Sequence, residues 1–243
     1  MGQRVQTITQ INGKIWKLGG WVMKIKYLGH SCFEIEMDKG KILIDPFLAC
    51  SPNYNPEGVT DIFVTHAHGD HLGSAIEISK KTGAKITAIF ELANYCANFG
   101  ANTNGVGLGS WIEYDWGKAV AVPATHSSST NDGIYGGCPC GYVFEVDGHH
   151  FYHAGDTSLN SEMQTLGEVY DIKLAMLPVG GHYTMDIEHA VKAAKMLQAG
   201  IVIPMHYNTF DAIKVDIEDF DALMRQNKKL PLIMNIGDVW EGL

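Results

Sequence analysis

Residues 66–71 read His-Ala-His-Gly-Asp-His, four side chains able to bind a divalent cation within six positions. Imidazole nitrogens suit Zn2+ and related ions, and a carboxylate adds charge compensation. In a loop, His66 and His68 can face one ion while Asp70 and His71 turn to a second, with Gly69 supplying backbone freedom between the pairs. Residues 61–65 (DIFVT) have the short apolar run of a buried strand, and 72–81 carry apolar residues at helical spacing, closed by Gly83 at the C-terminal cap position. A strand therefore runs into the ligand cluster and a helix leaves it. Three more ligand-type residues, His126, Asp156 and His206, stand just after segments that read as strands. The chain has to fold so that those strand ends meet.

The remaining pattern shows how. Strands are predicted at 24–27, 32–37 and 41–44, a meander with its turn at 38–40, then at 86–90, 111–114, 118–122, 142–146, 151–153, 172–177, 201–204 and 232–236. The pair Asp147-Gly148 marks a hairpin. Helices are predicted at 91–98, 159–166, 187–198 with Asp186 as N-cap, and 216–226. Each half opens with paired strands and closes in strand–helix units, which predicts two facing sheets with helices outside.

The ordered motifs THAHGDH, PATHSSS, YHAGDT and PMHY resemble those of the metallo-β-lactamase superfamily over essentially all of residues 23–243. The resemblance implies an α/β fold, a four-layer αβ/βα sandwich with a two-metal site at one sheet edge. YLGHSCF, LIDPF, HSSS and PVGGHYTM are similar to the compact metal-dependent hydrolases related to ascorbate-phosphate lactonases and phospholipase-D-like members. By this resemblance His66, His68 and His126 hold one metal, Asp70, His71 and His206 the other, and Asp156 bridges. The implied cofactors are two divalent ions, Zn2+ first, with Mn2+, Fe2+ or Ni2+ able to enter the same nitrogen and oxygen site. The implied activity is hydrolysis, in which a metal-bridging hydroxide cleaves a small ester, lactone or phosphodiester. Asp70 would be both ligand and the group that orients the hydroxide and receives a proton. The resemblance also implies a homo-oligomer in the cytoplasm. Two alternatives use the same scaffold: a nuclease or phosphodiesterase acting on nucleic acid, and a di-iron oxygen or nitric-oxide reductase, whose motif carries Glu where His68 stands.

Composition bears on these choices. The chain of 243 residues has a formal charge of −9. Its first 22 residues contain Arg4, Lys14 and Lys17 and no acid, so residues 23–243 hold 15 basic against 27 acidic side chains, a balance of −12. Long nucleic acid is thereby disfavoured as a partner. Two divalent ions with a bound hydroxide would bring the formal charge to about −6, concentrated as a positive mouth that can still attract a small anionic substrate. No apolar run approaches the ~20 residues that cross a bilayer, so no membrane insertion is expected. Residues 1–22, without a signal-peptide run, are expected to be an N-terminal extension or remnant, and 23–243 the hydrolase domain. The five cysteines read as reduced, in keeping with a cytoplasmic protein, and Cys138-Pro139-Cys140 lacks the second pair of a thiolate site.

Of the 11 histidines, His182 in PVGGHYTM is the candidate for the substrate side, as oxyanion binder or proton donor to the leaving group. His30 and Asp45, at the ends of early strands, are expected to hold metal ligands in place. His153, three residues before Asp156, should point away from the metals. His149 and His150 are expected in an exposed hairpin turn and His189 on a helix surface. Ser127, Ser128 and Ser129 are expected to hydrogen-bond within the loop behind His126, and segments 98–110 and 127–141 to wall the pocket without a basic cluster, long apolar flap or aromatic ladder.

Overall fold

The computed structural model describes residues 23–242; the predicted N-terminal extension, residues 1–22, lies outside the described residues. The first half opens with β1 (Met23–Gly29), β2 (Cys32–Met37) and β3 (Gly40–Ile44), an antiparallel meander. It continues through β4 (Asp61–Phe63), α1 (Gly69–Leu72), α2 (Ala75–Thr82), β5 (Lys85–Ile89), α3 (Phe90–Asn98) and β6 (Thr103–Val106), with β3 to β6 parallel. The second half repeats the scheme. Strands β7 (Trp111–Tyr114), β8 (Gly117–Pro123), β9 (Cys140–Val146) and β10 (His149–His153) run antiparallel. Then come α4 (Glu162–Val169), β11 (Ile172–Pro178), α5 (Ile187–Met196), β12 (Ile201–Met205), α6 (Ile217–Gln226) and β13 (Leu230–Pro231), with β10 to β13 parallel. Finally β14 (Val239–Gly242) returns to pair with β1. The sheet orders are β14-β1-β2-β3-β4-β5-β6 and β13-β12-β11-β10-β9-β8-β7.

Period-two alternation builds the space between the sheets. Phe33, Ile35 and Met37 of β2 enter the main core, whereas Glu34 and Glu36 take the other face. Phe63 of β4 lies with its ring centroid 5.2 Å from Tyr142 and 4.9 Å from Phe144 of β9, joining the two sheets. Truncating so buried a ring to alanine costs about 3–5 kcal/mol. A second cluster fills the outer face of the first sheet, where Leu43, Ile62 and Val64 meet Ala75, Ile78, Leu92 and Cys96 from α2 and α3. Helices α4, α5 and α6 cover the second sheet. The result is the expected four-layer sandwich.

Several local expectations need correction. The helix predicted at 72–81 is two pieces, α1 and α2, because the chain turns at Gly73 (φ 43°), where a Cβ would fall 2.3 Å from the Pro46 carbonyl oxygen. The helix predicted at 159–166 begins at Glu162, since the Asn160 amide instead donates to Thr157 Oγ1 and to the Ser158 carbonyl. The strand predicted at 232–236 is absent: β13 is Leu230–Pro231, and a turn closed by Asp238 on Asn235 leads into β14. Residues 103–106, expected in a loop, form the edge strand β6. His149 and His150 start β10 and are half-buried, not exposed in the turn, and His150 Nε2 lies 3.1 Å from Glu145 Oε2.

Candidate metal centre

The end of β4 sets the site. Beyond the strand the chain bends at Ala67 and His68, and His68 (φ −60°, ψ 148°) opens the one-turn helix α1. His66 and His68 thus precede the helix, His68 in extended backbone, while Asp70 and His71 project from helical backbone. That change of conformation, not Gly69, divides the motif: the φ of Gly69 is not positive.

The motif meets residues from three other strand ends. His66 Nε2 and His68 Nδ1 lie 2.9 Å apart, and the His126 ring, after β8, stands 5.1 Å from both rings and nearly perpendicular to them. On the other side, Asp70 Oδ2 is 4.0 Å from His71 Nε2 and 3.7 Å from Nε2 of His206, which follows β12. Asp156, after β10, spans the two groups: Oδ1 is 3.2 Å from His71 Nε2, and Oδ2 is 3.1 Å from His206 Nε2 and 3.5 Å from His126 Nε2. The structure therefore brings all seven sequence-predicted ligand residues together.

Whether a cation fits can be judged from the polar atoms. His71 Nε2 and Asp156 Oδ1 are buried and face each other, yet neither has a hydrogen-bond partner. Ligand atoms of His66, His68 and His126 lie within 4.8 Å of one another, as do those of His66, His71 and Asp156, and those of His30, Asp70, His71 and His206. Buried donor-poor nitrogens and carboxylates converging in this way suit divalent cations.

A layer of hydrogen bonds fixes the ligands. Asp45, fully buried, accepts from the Thr65 backbone N–H (2.8 Å), the Thr65 hydroxyl (2.7 Å) and His71 Nδ1 (2.7 Å). The Thr65 hydroxyl has spent its one proton on Asp45, so it accepts from His66 Nδ1 at 3.1 Å and leaves His66 Nε2 for the centre. His30 Nε2 donates to Asp70 Oδ2 at 3.1 Å, its Nδ1 faces the Thr209 hydroxyl, and its carbonyl accepts the His206 N–H at 2.9 Å. His30, Asp45 and His206 all have positive φ, strain that the packed surroundings hold in place. The supporting roles expected of His30 and Asp45 match these contacts. Thr65 and Thr209 are not anticipated by the motifs, and only the position of Thr65 next to His66 and of Thr209 three residues after His206 hints at them.

Electrostatics separates the ligands. Burial lowers the pKa values of His66, His68 and His126, favouring the neutral imidazole that binds metal. Burial also disfavours charge on Asp70, Asp156, His71 and His206, but opposite charge prevails. Hydrogen bonds from His206 and His30 hold Asp70 far below the usual carboxylate range, and His71 and His206 do the same for Asp156. In turn Asp156 and Asp45 push His71 well up, and Asp156 and Asp70 raise His206 to about 9.

The other candidates are placed as follows. His182 is exposed, at φ 53° on the loop after β11, with its ring 4.3 Å from that of Tyr183. This loop abuts the His206 turn: the Val179 N–H donates to the Met205 carbonyl, and a Cβ on Gly180 would lie 2.2 Å from the His206 carbonyl oxygen. His153 turns away from the ligands, donating from Nε2 to the Ser31 carbonyl and accepting the Gly155 N–H. His189 is exposed on α5, beside its N-cap Asp186. Ser128 Oγ accepts the Ala67 N–H, and Ser127 Oγ lies 3.5 Å from His68 Nε2. Cys138 is exposed and Cys140 buried, and all five cysteines are free.

Known proteins resemble this chain. Residues 24–206 match the family model of the β-lactamase superfamily domain. A UPF0173 metal-dependent hydrolase of Thermococcus onnurineus is 46% identical over 228 residues, covering 90% of this chain and 100% of that protein. One from Pyrococcus furiosus is 45% identical over 221 residues, covering 87% of this chain and 96% of its own length. Among solved structures, the metallo hydrolase Igni18 of Ignicoccus hospitalis superposes with a TM-score of 0.84 at 37% identity, covering 91% of this chain and 99% of that one. With its ligand-type residues gathered at the ends of β4, β8, β10 and β12, the chain belongs to the β-lactamase superfamily, among its metal-dependent hydrolases.

Proposed function

We propose that the protein hydrolyses a small ester, lactone or phosphodiester with two divalent ions, Zn2+ the first choice. His66, His68 and His126 hold one ion, Asp70, His71 and His206 the other, and Asp156 both. The observation that carries this reading is the position of Asp156, whose two carboxylate oxygens lie within 3.5 Å of nitrogens on His71, His206 and His126. When bound, such ions supply Lewis acidity at the scissile group and activate water at neutral pH. The chain supplies orientation and proton transfer. Asp70, pinned at Oδ2 by His30 but partly open to solvent, orients the attacking water and accepts its proton. His182 serves the substrate from the loop packed on the His206 turn, steadying the developing anion or protonating the leaving group. The cytoplasm suits the five free cysteines, and no described helix is long and apolar enough to cross a membrane.

Elemental analysis and a panel of 4-nitrophenyl diesters, esters and aryl lactones test the reading on one sample. His66→Ala and Asp156→Ala should lose metal and turnover together. His182→Ala should keep both metal equivalents and lose about 10²–10⁴-fold in kcat, the usual range for a general acid. Full turnover in metal-stripped protein would refute the proposal.

A further inference from the structure

The loops that meet at the ligands share a property that neither the ligand set nor the relatives define. Residues 64–74, 124–139, 154–160, 179–186 and 206–213 contain no lysine or arginine. Lys214, next along the chain, is paired with Asp211 at 2.7 Å. The same loops carry Asp132, Asp186 and Asp211. A substrate bearing anionic groups beyond the one at the metals would find no lysine or arginine on these loops to receive them.

What these loops do offer is aromatic surface. Phe210 remains 41% exposed, and its ring centroid lies 5.1 Å from that of His30, whose own ring is 4.1 Å from His206 and hydrogen-bonded to Asp70. Phe47 completes the wall, 5.5 Å from His30 and 6.1 Å from Phe210. Across the motif, Tyr135 is 66% exposed, and its neighbour Gly136 packs so tightly on Ala67 that a Cβ there would come within 2.3 Å of the Ala67 Cβ. Tyr183 is exposed beside His182. Phe210 is one ring away from the Asp70 carboxylate, through His30. An exposed aromatic held so near reacting groups is a platform for an apolar or aromatic group.

We infer that the substrate is neutral or singly charged and carries an apolar or aromatic group that stacks on Phe210, and that nucleotides, sugar phosphates and other polyanions are poor substrates. The inference rests on the hydrolase reading and sharpens it. A ring seated on Phe210 would gain contact that a methyl group cannot, and an added carboxylate would lose hydration with nothing in return.

The test uses metal-loaded protein and 4-nitrophenyl phosphodiesters whose second group is phenyl, methyl or carboxymethyl, with the matching 4-nitrophenyl esters of phenylacetic, acetic and malonic acid. Calorimetric titration with phenylacetate, acetate and malonate reads binding without turnover. Phenyl should exceed methyl by about tenfold in kcat/KM and in affinity, with the carboxylate-bearing compound below both. Phe210→Ala should bring the phenyl-to-methyl ratio close to one while metal content stays at the wild-type level. Ser127→Lys, placing a cation beside His68, should raise kcat/KM for the carboxymethyl diester severalfold. Metal-dependent turnover with no phenyl preference, with preference for the carboxylate, or with a ratio indifferent to Phe210→Ala would overturn the inference and leave the hydrolase reading standing. Absence of metal-dependent turnover across both series would sink the hydrolase reading, and the phenylacetate titration would still decide whether Phe210 binds a ring.

Discussion

Asp45 touches no candidate metal ligand except His71, yet the structure makes it the residue whose replacement separates fold stability from metal binding most sharply. Its fully buried carboxylate accepts from Thr65 N–H, Thr65 Oγ1–H and His71 Nδ1–H, all at 2.7–2.8 Å. Asp45→Ala orphans three buried donors at about 1–3 kcal/mol each, and removing one partner of a buried ion pair costs about 3–5 kcal/mol. These estimates overlap, so the metal-free protein should lose about 4 kcal/mol, a fall in Tm of about 8–16 °C at about 2–4 °C per kcal/mol for a domain of this size. Asp45→Asn is more specific. The amide oxygen can still accept from the Thr65 N–H, which has no alternative, and this sets the NH2 against Thr65 Oγ1 and His71 Nδ1. Both of those can adapt, the hydroxyl by rotating and the imidazole by changing tautomer. His71 would then carry its proton on Nε2, the nitrogen that faces Asp156 across 3.2 Å. Metal affinity should drop about 10–100-fold, the usual loss when a ligand's outer partner is changed. Thermal unfolding of chelator-treated protein, calorimetric metal titration and 15N spectra of the imidazole rings measure the three effects separately. An Asp45→Asn protein that binds metal with wild-type affinity, or that keeps the His71 proton on Nδ1, would refute the reasoning.

Three further outcomes follow from the same geometry. His206, raised to about 9 against an ordinary value of about 6.5, stabilises the metal-free fold fully below that ordinary value, and the contribution is lost as pH rises through 9. His71 shifts the same way, so loading metal at pH 7 should release protons, read as a buffer-dependent binding enthalpy, and chelated protein should melt lower at pH 9.5 than at 6.5; an enthalpy independent of buffer would contradict this. Thr65→Val removes the hydroxyl that links Asp45 to His66 and should cost about 1–3 kcal/mol with a roughly tenfold weaker first metal, measured by unfolding and titration. Gly73→Ala, at φ 43° and 2.3 Å from the Pro46 carbonyl oxygen, should cost more than about 1 kcal/mol and weaken metal binding through α1, whereas the same change at Gly83, where no atom lies within 4 Å, should be milder.

The sequence by itself determined the strands that alternate, the candidate ligand residues and their order. The alternation of apolar and polar residues over 33–37 and the apolar run at 172–177 announce sheet faces because side-chain direction is a local property of extended chain. The candidate ligands at 66, 68, 70, 71, 126, 156 and 206 are legible because their types and spacing serve no core. What only the tertiary structure decided is where local preference and packing disagree. The break at Gly73 comes from a carbonyl 27 positions earlier in the chain, and β14 exists because β1 offers an unpaired edge some 200 residues away, which no window of neighbouring residues records. The support of the ligands is likewise non-local. Thr209 lies against His30, Thr65 against Asp45, and Phe210 beside both His30 and Phe47, pairings made by strand ends meeting rather than by spacing. Chemistry at the metals needs residue types, which a sequence states outright; recognition of a substrate needs a surface, and a surface exists only once distant loops share one rim.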